Sequence, residues 1–132
     1  MKGLLVVLFL SICSVMATAQ TVSPTNLNGI WADSNSTAFQ NCYMIIAQEG
    51  EKINMSHYLE FNGTPMVEYG TGHYANGKVY FEVKVSKAIP GWATTGKHFL
   101  SLSNDGKTLR GNYEDGKGNK GPLVFKRILI KE

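Results

Sequence analysis

Long hydrophobic runs are scarce in this chain of 132 residues, and the longest lies at its start, from Leu4 to Ile12. That run is too short to span a bilayer comfortably. Lys2 precedes it and Ala17-Thr18-Ala19 follows it, which is the arrangement of a cleaved secretory signal peptide. We therefore expect residues 1–19 to be a signal peptide, the mature protein to be secreted or periplasmic, and no membrane insertion after cleavage.

Cysteine is also scarce, with two residues in the whole chain, Cys13 and Cys42. Cys13 falls in the signal peptide, and Ile12 precedes it where a lipoprotein anchor would have a small residue. Cys42 alone cannot form an internal disulfide, so the mature domain must rely on packing. Its apolar and aromatic neighbours at 43–46 favour a buried, inert thiol over a pairing between chains.

Strong charge of either sign is absent. Without Lys2 the chain has 12 Lys and Arg against 10 Asp and Glu, a balance too mild to predict nucleic-acid or anionic-membrane binding. Gly-x-Ser-x-Gly, P-loop and Cys-x-x-Cys motifs are absent as well. We expect no enzymatic activity and no cofactor, although Cys42 with a histidine remains an alternative as a nucleophilic dyad.

Turn dipeptides, in contrast, recur along the chain. They fall 10 to 15 residues apart, at Glu49-Gly50, Asn62-Gly63, Asn76-Gly77, Pro90-Gly91, Asp105-Gly106 and Asp115-Gly116. Asn-Gly and Asp-Gly supply the positive φ angles of tight hairpins, and the segments between them are rich in Val, Ile, Tyr and Phe. This regular spacing predicts one antiparallel meander.

The segments between the turns predict an all-β fold of eight strands. We place the strands at 28–33, 40–48, 52–61, 65–75, 78–87, 97–103, 108–114 and 121–130. A polar, flexible leader would occupy 20–27, followed by a single barrel domain over 28–132. Strands near ten residues suit an eight-stranded up-and-down barrel, which leaves no exposed edges.

Alternation along each strand separates an apolar face from a polar one. We interpret the apolar face as the barrel interior, and it includes Met55, His57, Phe81, His98 and Tyr113. In the fourth strand we interpret Val67, Tyr69, Thr71 and His73 as the inner face. The connection 88–96, which contains Trp92, is longer than the other turns. It is either an ordinary loop or a rim over a cavity mouth.

The two ends of the domain carry a family resemblance. Gly29-Ile30-Trp31 opens the first strand and Lys126-Arg127 lies late in the last one. A Gly-x-Trp opening with a late Arg resembles the lipocalin and wider calycin pattern, and the layout of 99–127 is similar to that of small secreted lipocalin-like domains. The resemblance implies that Trp31 fills the barrel floor, Arg127 stacks on its ring, and Gly29 permits close backbone approach.

These observations lead to three functional hypotheses. The first is a lipocalin-like binding protein that holds a small, mostly apolar molecule, with ligand contacts from Met55, His57, Tyr69, Phe81, His98 and Tyr113. The second is a packed barrel that acts as an interaction or structural domain, with no internal ligand. The third is a metal- or haem-binding barrel that uses His57, His73 and His98.

Overall fold

The structure is a computed structural model that describes residues 26–34 and 40–129. The predicted signal peptide and most of the predicted leader lie outside the described residues. The described chain forms one closed antiparallel barrel in which neighbouring strands follow chain order. Its strands are β1 (Gly29–Asp33), β2 (Gln40–Glu49), β3 (Lys52–Phe61), β4 (Thr64–Ala75), β5 (Lys78–Val85), β6 (Thr95–Leu102), β7 (Thr108–Asp115) and β8 (Lys120–Arg127). The predicted up-and-down barrel is confirmed.

The turn chemistry explains the tight hairpins. Asn62 and Gly63 have φ angles of 49° and 76°, and Asn76 and Gly77 have 51° and 75°. Two consecutive positive φ angles match the right-handed twist of the flanking strands, and Asn-Gly is the pair that adopts them most readily. Within the described residues no helix is long and apolar enough to cross a membrane.

The barrel closes through pairing of its first and last strands, with Trp31 opposite Arg127. The Trp31 side chain is fully buried, and the Arg127 guanidinium carbon lies 4.3 Å from the centroid of its ring. Arg127 also donates to the carbonyl groups of Asn26, Asn28 and Gly106. Trp31 is thus buried in the barrel with Arg127 over its ring, which is the arrangement that the resemblance implies.

Two details at this closed end differ from the sequence-based expectation. Gly29 has a φ of 141°, a conformation that side-chain-bearing residues rarely adopt, while an added Cβ would meet only the Arg127 side chain, at 3.6 Å. Backbone conformation, rather than close approach, is the reason for glycine there. Leu27, which we had assigned to the leader, is completely buried in the core, so the ordered domain begins before residue 28.

The interior is packed in its lower part. Thirteen buried residues form one cluster around Trp31 and Phe125, and Met55 and Phe81 belong to it. A second, smaller cluster of Cys42, Leu59 and Met66 lies toward the opposite end, where β3 ends and β4 begins. The barrel is thus filled around Trp31, and its free space lies at the other end, which we call the upper end.

The interpretation of the fourth strand was wrong. Tyr69 is 51 % exposed and His73 is also exposed, whereas Met66, Glu68 and Gly70 are buried. Gly70 and Gly72 share the inner face with Met66 and Glu68, and β5 passes so close that a Cβ at Gly72 would overlap the Tyr80 carbonyl oxygen. Apolar content is therefore higher on the outer face of this strand, which is the reverse of the usual pattern.

Candidate functional site: a polar cavity at the upper end

A cavity of about 460 Å³ occupies the upper end of the barrel. Its apolar walls include Leu59, Val83, Val85 and Leu123, and its polar lining includes His57, Glu68, His98 and Tyr113. This volume lies within the range of small-molecule sites, which are mostly apolar with a few convergent polar groups. The upper end of the barrel therefore has the size and the lining of a ligand site.

The connection between β5 and β6 borders this cavity. Trp92 and Gly91 line it, and the Trp92 ring packs on Phe61 with centroids 5.0 Å apart. The indole N–H of Trp92 donates to Glu68 Oε1 at 3.0 Å. These contacts favour the interpretation of the loop as a rim over a cavity mouth, because the Trp92 side chain contacts Phe61 in the barrel wall and Glu68 in the interior.

A chain of hydrogen-bonding side chains runs below the rim. Cys42 Sγ lies 3.0 Å from His57 Nε2, and His57 Nδ1 lies 3.2 Å from Glu68 Oε2. The Asp33 carboxylate is on the other side of the thiol, with Oδ2 at 3.6 Å from Sγ. Because an ionised carboxylate only accepts, His57 Nδ1 donates to Glu68 Oε2, and the Cys42 thiol donates to Asp33 Oδ2.

The strand register brings these groups together. His57 and Glu68 are directly opposite each other on β3 and β4, and Met44 pairs with His57 from β2. Cys42 reaches the same level from β2, where the pairing shifts between Gln40 and Tyr43 and Asn41 has a φ of 53°. Irregular pairing of this kind reorients a side chain and is common beside functional sites.

His98 adds a second buried imidazole. It is 6 % exposed, its ring centroid lies 6.4 Å from that of His57, and Tyr113 is opposite it on β7. Its Nδ1 has no hydrogen-bond partner, and no other buried side-chain nitrogen or oxygen of the described residues lacks one. The pKa of His98 is lowered to about 4: burial is the largest cause, the charge of Glu68 opposes it, and His57 adds a smaller lowering. His98 is thus neutral at neutral pH.

The two acid groups below the rim differ in protonation. Burial alone would raise the pKa of Glu68, but its hydrogen bond to His57 and the charge of that ring outweigh burial and leave the pKa below its ordinary value. Burial raises the pKa of the Cys42 thiol well above its usual range, and the negative charge of Asp33 raises it further. The cavity therefore holds a buried carboxylate beside a protonated thiol.

The structure brings together only part of the predicted site. His57, His98 and Tyr113 line the cavity, as expected. Met55 and Phe81 are buried in the packed core rather than along the cavity, and Tyr69 lies on the outer surface. The placement of these three in the site was wrong for two reasons. Alternation identifies a face of the barrel but not the height of Met55 and Phe81 within it, and for Tyr69 the face itself was misassigned.

The proposed set of three histidines is also wrong, because exposed His73 lies outside the barrel. A different donor set exists at the same level as His57. One ligand atom each from Asp33, Cys42 and His57 lie within 4.8 Å of one another. Of the residues that sequence reasoning missed, Glu68 carried one signal, its position directly across a predicted hairpin from His57.

Comparison with known protein families finds no matching family model, and comparison with curated proteins finds no match. The closed order of eight antiparallel strands is consistent with a calycin-like fold. Many unrelated functions share such barrels, so the cavity and its side chains, and not the fold, indicate the function.

Proposed function

We propose that this protein is a secreted or periplasmic, lipocalin-like binding protein that holds one small molecule at the upper end of its barrel. The observation that carries the proposal is the cavity of about 460 Å³, with buried His57, Glu68 and His98 among apolar walls. An unfilled space of this size favours a binding barrel over one that is packed shut.

The lining defines the chemistry of the ligand. Leu59, Val85 and Leu123 would contact an apolar body, while the ionised Glu68 would accept a hydrogen bond from a polar head. A ligand with an apolar body and a hydrogen-bond-donating head satisfies both surfaces. The ligand is therefore more amphipathic than the mostly apolar molecule expected from the sequence.

The test uses the neutral fluorescent probe N-phenyl-1-naphthylamine, which has an apolar body and one N–H donor. We expect saturable binding of one probe per chain, with increased probe fluorescence and a raised unfolding temperature. Val85→Trp would fill the cavity and weaken probe binding at least about tenfold, a change of roughly 1.4 kcal/mol. Val67→Trp is the matched control, because Val67 is on the outer surface.

Equal probe affinity in the two tryptophan variants would show that the probe binds elsewhere and would refute the cavity as the site. If the wild-type chain binds no probe, and native mass spectrometry of the exported protein detects no retained small molecule, the ligand-binding function itself fails. The interaction-domain hypothesis would then be the better one.

A second candidate is a thiol-dependent enzyme, favoured by the order Cys42, His57, Glu68, which is that of nucleophile, base and orienting carboxylate. The Asp33 carboxylate beside the thiol disfavours a thiolate nucleophile. The test is hydrolysis of p-nitrophenyl acetate: turnover lost in Cys42→Ser would support this candidate, and equal rates in the two chains would reject it.

A further inference from the structure

We propose that Asp33, Cys42 and His57, which all line the cavity, bind a thiophilic divalent metal ion at its wall, with zinc as the reference ion. This metal site goes beyond the proposed binding function, because it uses a different ligand and different donor atoms. The metal–sulfur bond would form as the Cys42 thiol loses its proton to solvent, so that a thiolate, an imidazole and a carboxylate surround the ion.

The separations of the donor atoms suit such an ion. Bond lengths of about 2.0–2.3 Å at tetrahedral zinc place neighbouring ligand atoms roughly 3.4–3.6 Å apart. Cys42 Sγ and Asp33 Oδ2 are 3.6 Å apart, and Cys42 Sγ and His57 Nε2 are 3.0 Å apart. The first pair already fits, and the second needs to open by about half an ångström.

The surroundings of His57 match those of a metal-binding histidine. Such a histidine presents one ring nitrogen to the ion and donates from the other to a carboxylate, which fixes the ring and its tautomer. His57 Nε2 faces the thiol, while Nδ1 is held by Glu68 Oε2 at 3.2 Å. Trp92 in turn donates to the other Glu68 oxygen at 3.0 Å, so the orienting carboxylate is itself held.

The charge distribution favours a cation over a nucleophilic thiolate. Asp33 and Glu68 place two carboxylates around Cys42 and His57, and a divalent ion would neutralise charge that is otherwise poorly solvated. Thiolate and imidazole ligands select zinc and similar ions over magnesium and calcium, which prefer all-oxygen sites.

His98 provides a second, independent observation in the same cavity. A buried imidazole nitrogen without a partner is unfavourable, and His98 Nδ1 is such an atom among the described residues. Its ring lies 6.4 Å from that of His57 and lines the same cavity. Three protein ligands leave a fourth position to water or a bound molecule, and such a group would supply a partner for His98.

The test uses the exported protein, reduced and stripped with a chelator, then titrated with Co²⁺ as a spectroscopic probe and with Zn²⁺ in competition. We expect one ion per chain and a sulfur-to-cobalt charge-transfer band. Cys42→Ser should abolish the band, and His57→Gln should weaken binding at least about a hundredfold. Glu68→Gln should weaken binding about 10- to 100-fold through the orientation of His57.

His73→Gln is the matched control, because this histidine is exposed on the outer face, and it should bind cobalt like the wild-type chain. Zinc-edge X-ray absorption of the loaded protein should show one sulfur at about 2.3 Å, a result that needs no variant to fold. Absence of stoichiometric binding, absence of a sulfur ligand, or a charge-transfer band that survives in Cys42→Ser would overturn the proposal.

The metal site and the organic ligand site can be disproved independently of each other. Val85→Trp should lose the naphthylamine probe and keep the cobalt band, whereas Cys42→Ser should lose the band and keep the probe. A chain that binds cobalt but no probe retains the metal site and contradicts the proposed binding function.

Discussion

His98 should make the stability of this barrel sensitive to mild acid. Its pKa in the folded protein is about 4, against 6.5 in an unfolded chain, because the ring is buried. Between these values the unfolded chain binds a proton that the folded chain does not. The part of the free energy of unfolding that depends on a neutral His98 is therefore fully present above about pH 6.5, and it is lost progressively as the pH falls toward 4.

The magnitude follows from the two pKa values. At about 1.4 kcal/mol per pH unit, the gap between 6.5 and about 4 corresponds to roughly 3 kcal/mol in full. When the proton linkage is integrated over pH, about 2 kcal/mol of this loss in the free energy of unfolding falls between pH 7 and pH 5. Glu68 has a lowered pKa and stays ionised in that interval, so its opposing charge does not change.

The assay is urea unfolding of the metal-free protein at about pH 7 and pH 5, followed by tryptophan fluorescence. Wild type and the exposed-site control His73→Gln should each lose about 2 kcal/mol more than His98→Gln over this interval. The comparison uses the pH dependence alone, so any destabilisation of His98→Gln at neutral pH cancels. Equal losses in all three chains, or an NMR titration of His98 near pH 6.5, would refute the reasoning.

Three further predictions concern other parts of the chain. Arg127→Met should lower the free energy of unfolding by about 2 kcal/mol, because it removes the contact with the buried Trp31 indole and several hydrogen bonds to carbonyl groups. In the same urea assay Arg110→Met should change the free energy of unfolding little, because Arg110 is exposed. Cys42 should react slowly with iodoacetamide in the folded protein, since burial and the charge of Asp33 raise the pKa of the thiol, and Asp33→Asn should speed the reaction. Peptide mass spectrometry measures both rates, and a fast reaction of the wild-type chain would contradict this prediction. The exported protein should begin at Gln20, and N-terminal sequencing that finds the first 19 residues intact would contradict cleavage.

Strand content and barrel closure were predictable because they depend on local signals that agree with one another. The Asn-Gly turns set the hairpins, and alternation sets the faces of most strands. The bounds of β3 match the prediction at both ends. In β8 the strand ends at Arg127, where its pairing with β1 ends, so its predicted continuation through 128 and 129 was wrong; residue 130 lies outside the described residues.

The site was predictable only in part, because it depends on how far strands approach and at what height side chains lie. In β4 two inner positions are glycines where β5 passes close, while Val67 and Tyr69 lie outside, so the apolar pattern of this strand does not reveal that Glu68 lies inside. The irregular pairing near Asn41 sets Cys42 beside His57, and no alternation rule accounts for that shift. Long-range register therefore decides which of the polar residues meet.

The shortest strand holds the barrel shut, and that has a dynamic consequence. β1 has five residues, with four paired positions along β2 and three along β8. Its amide hydrogens should therefore exchange with solvent sooner than those of the long central hairpins, since local opening begins where the fewest bonds must break. Asp33 is the last residue of β1. A metal ion bound by Asp33 would therefore stabilise the pairing of β1 with its neighbours and slow the exchange of its amide hydrogens.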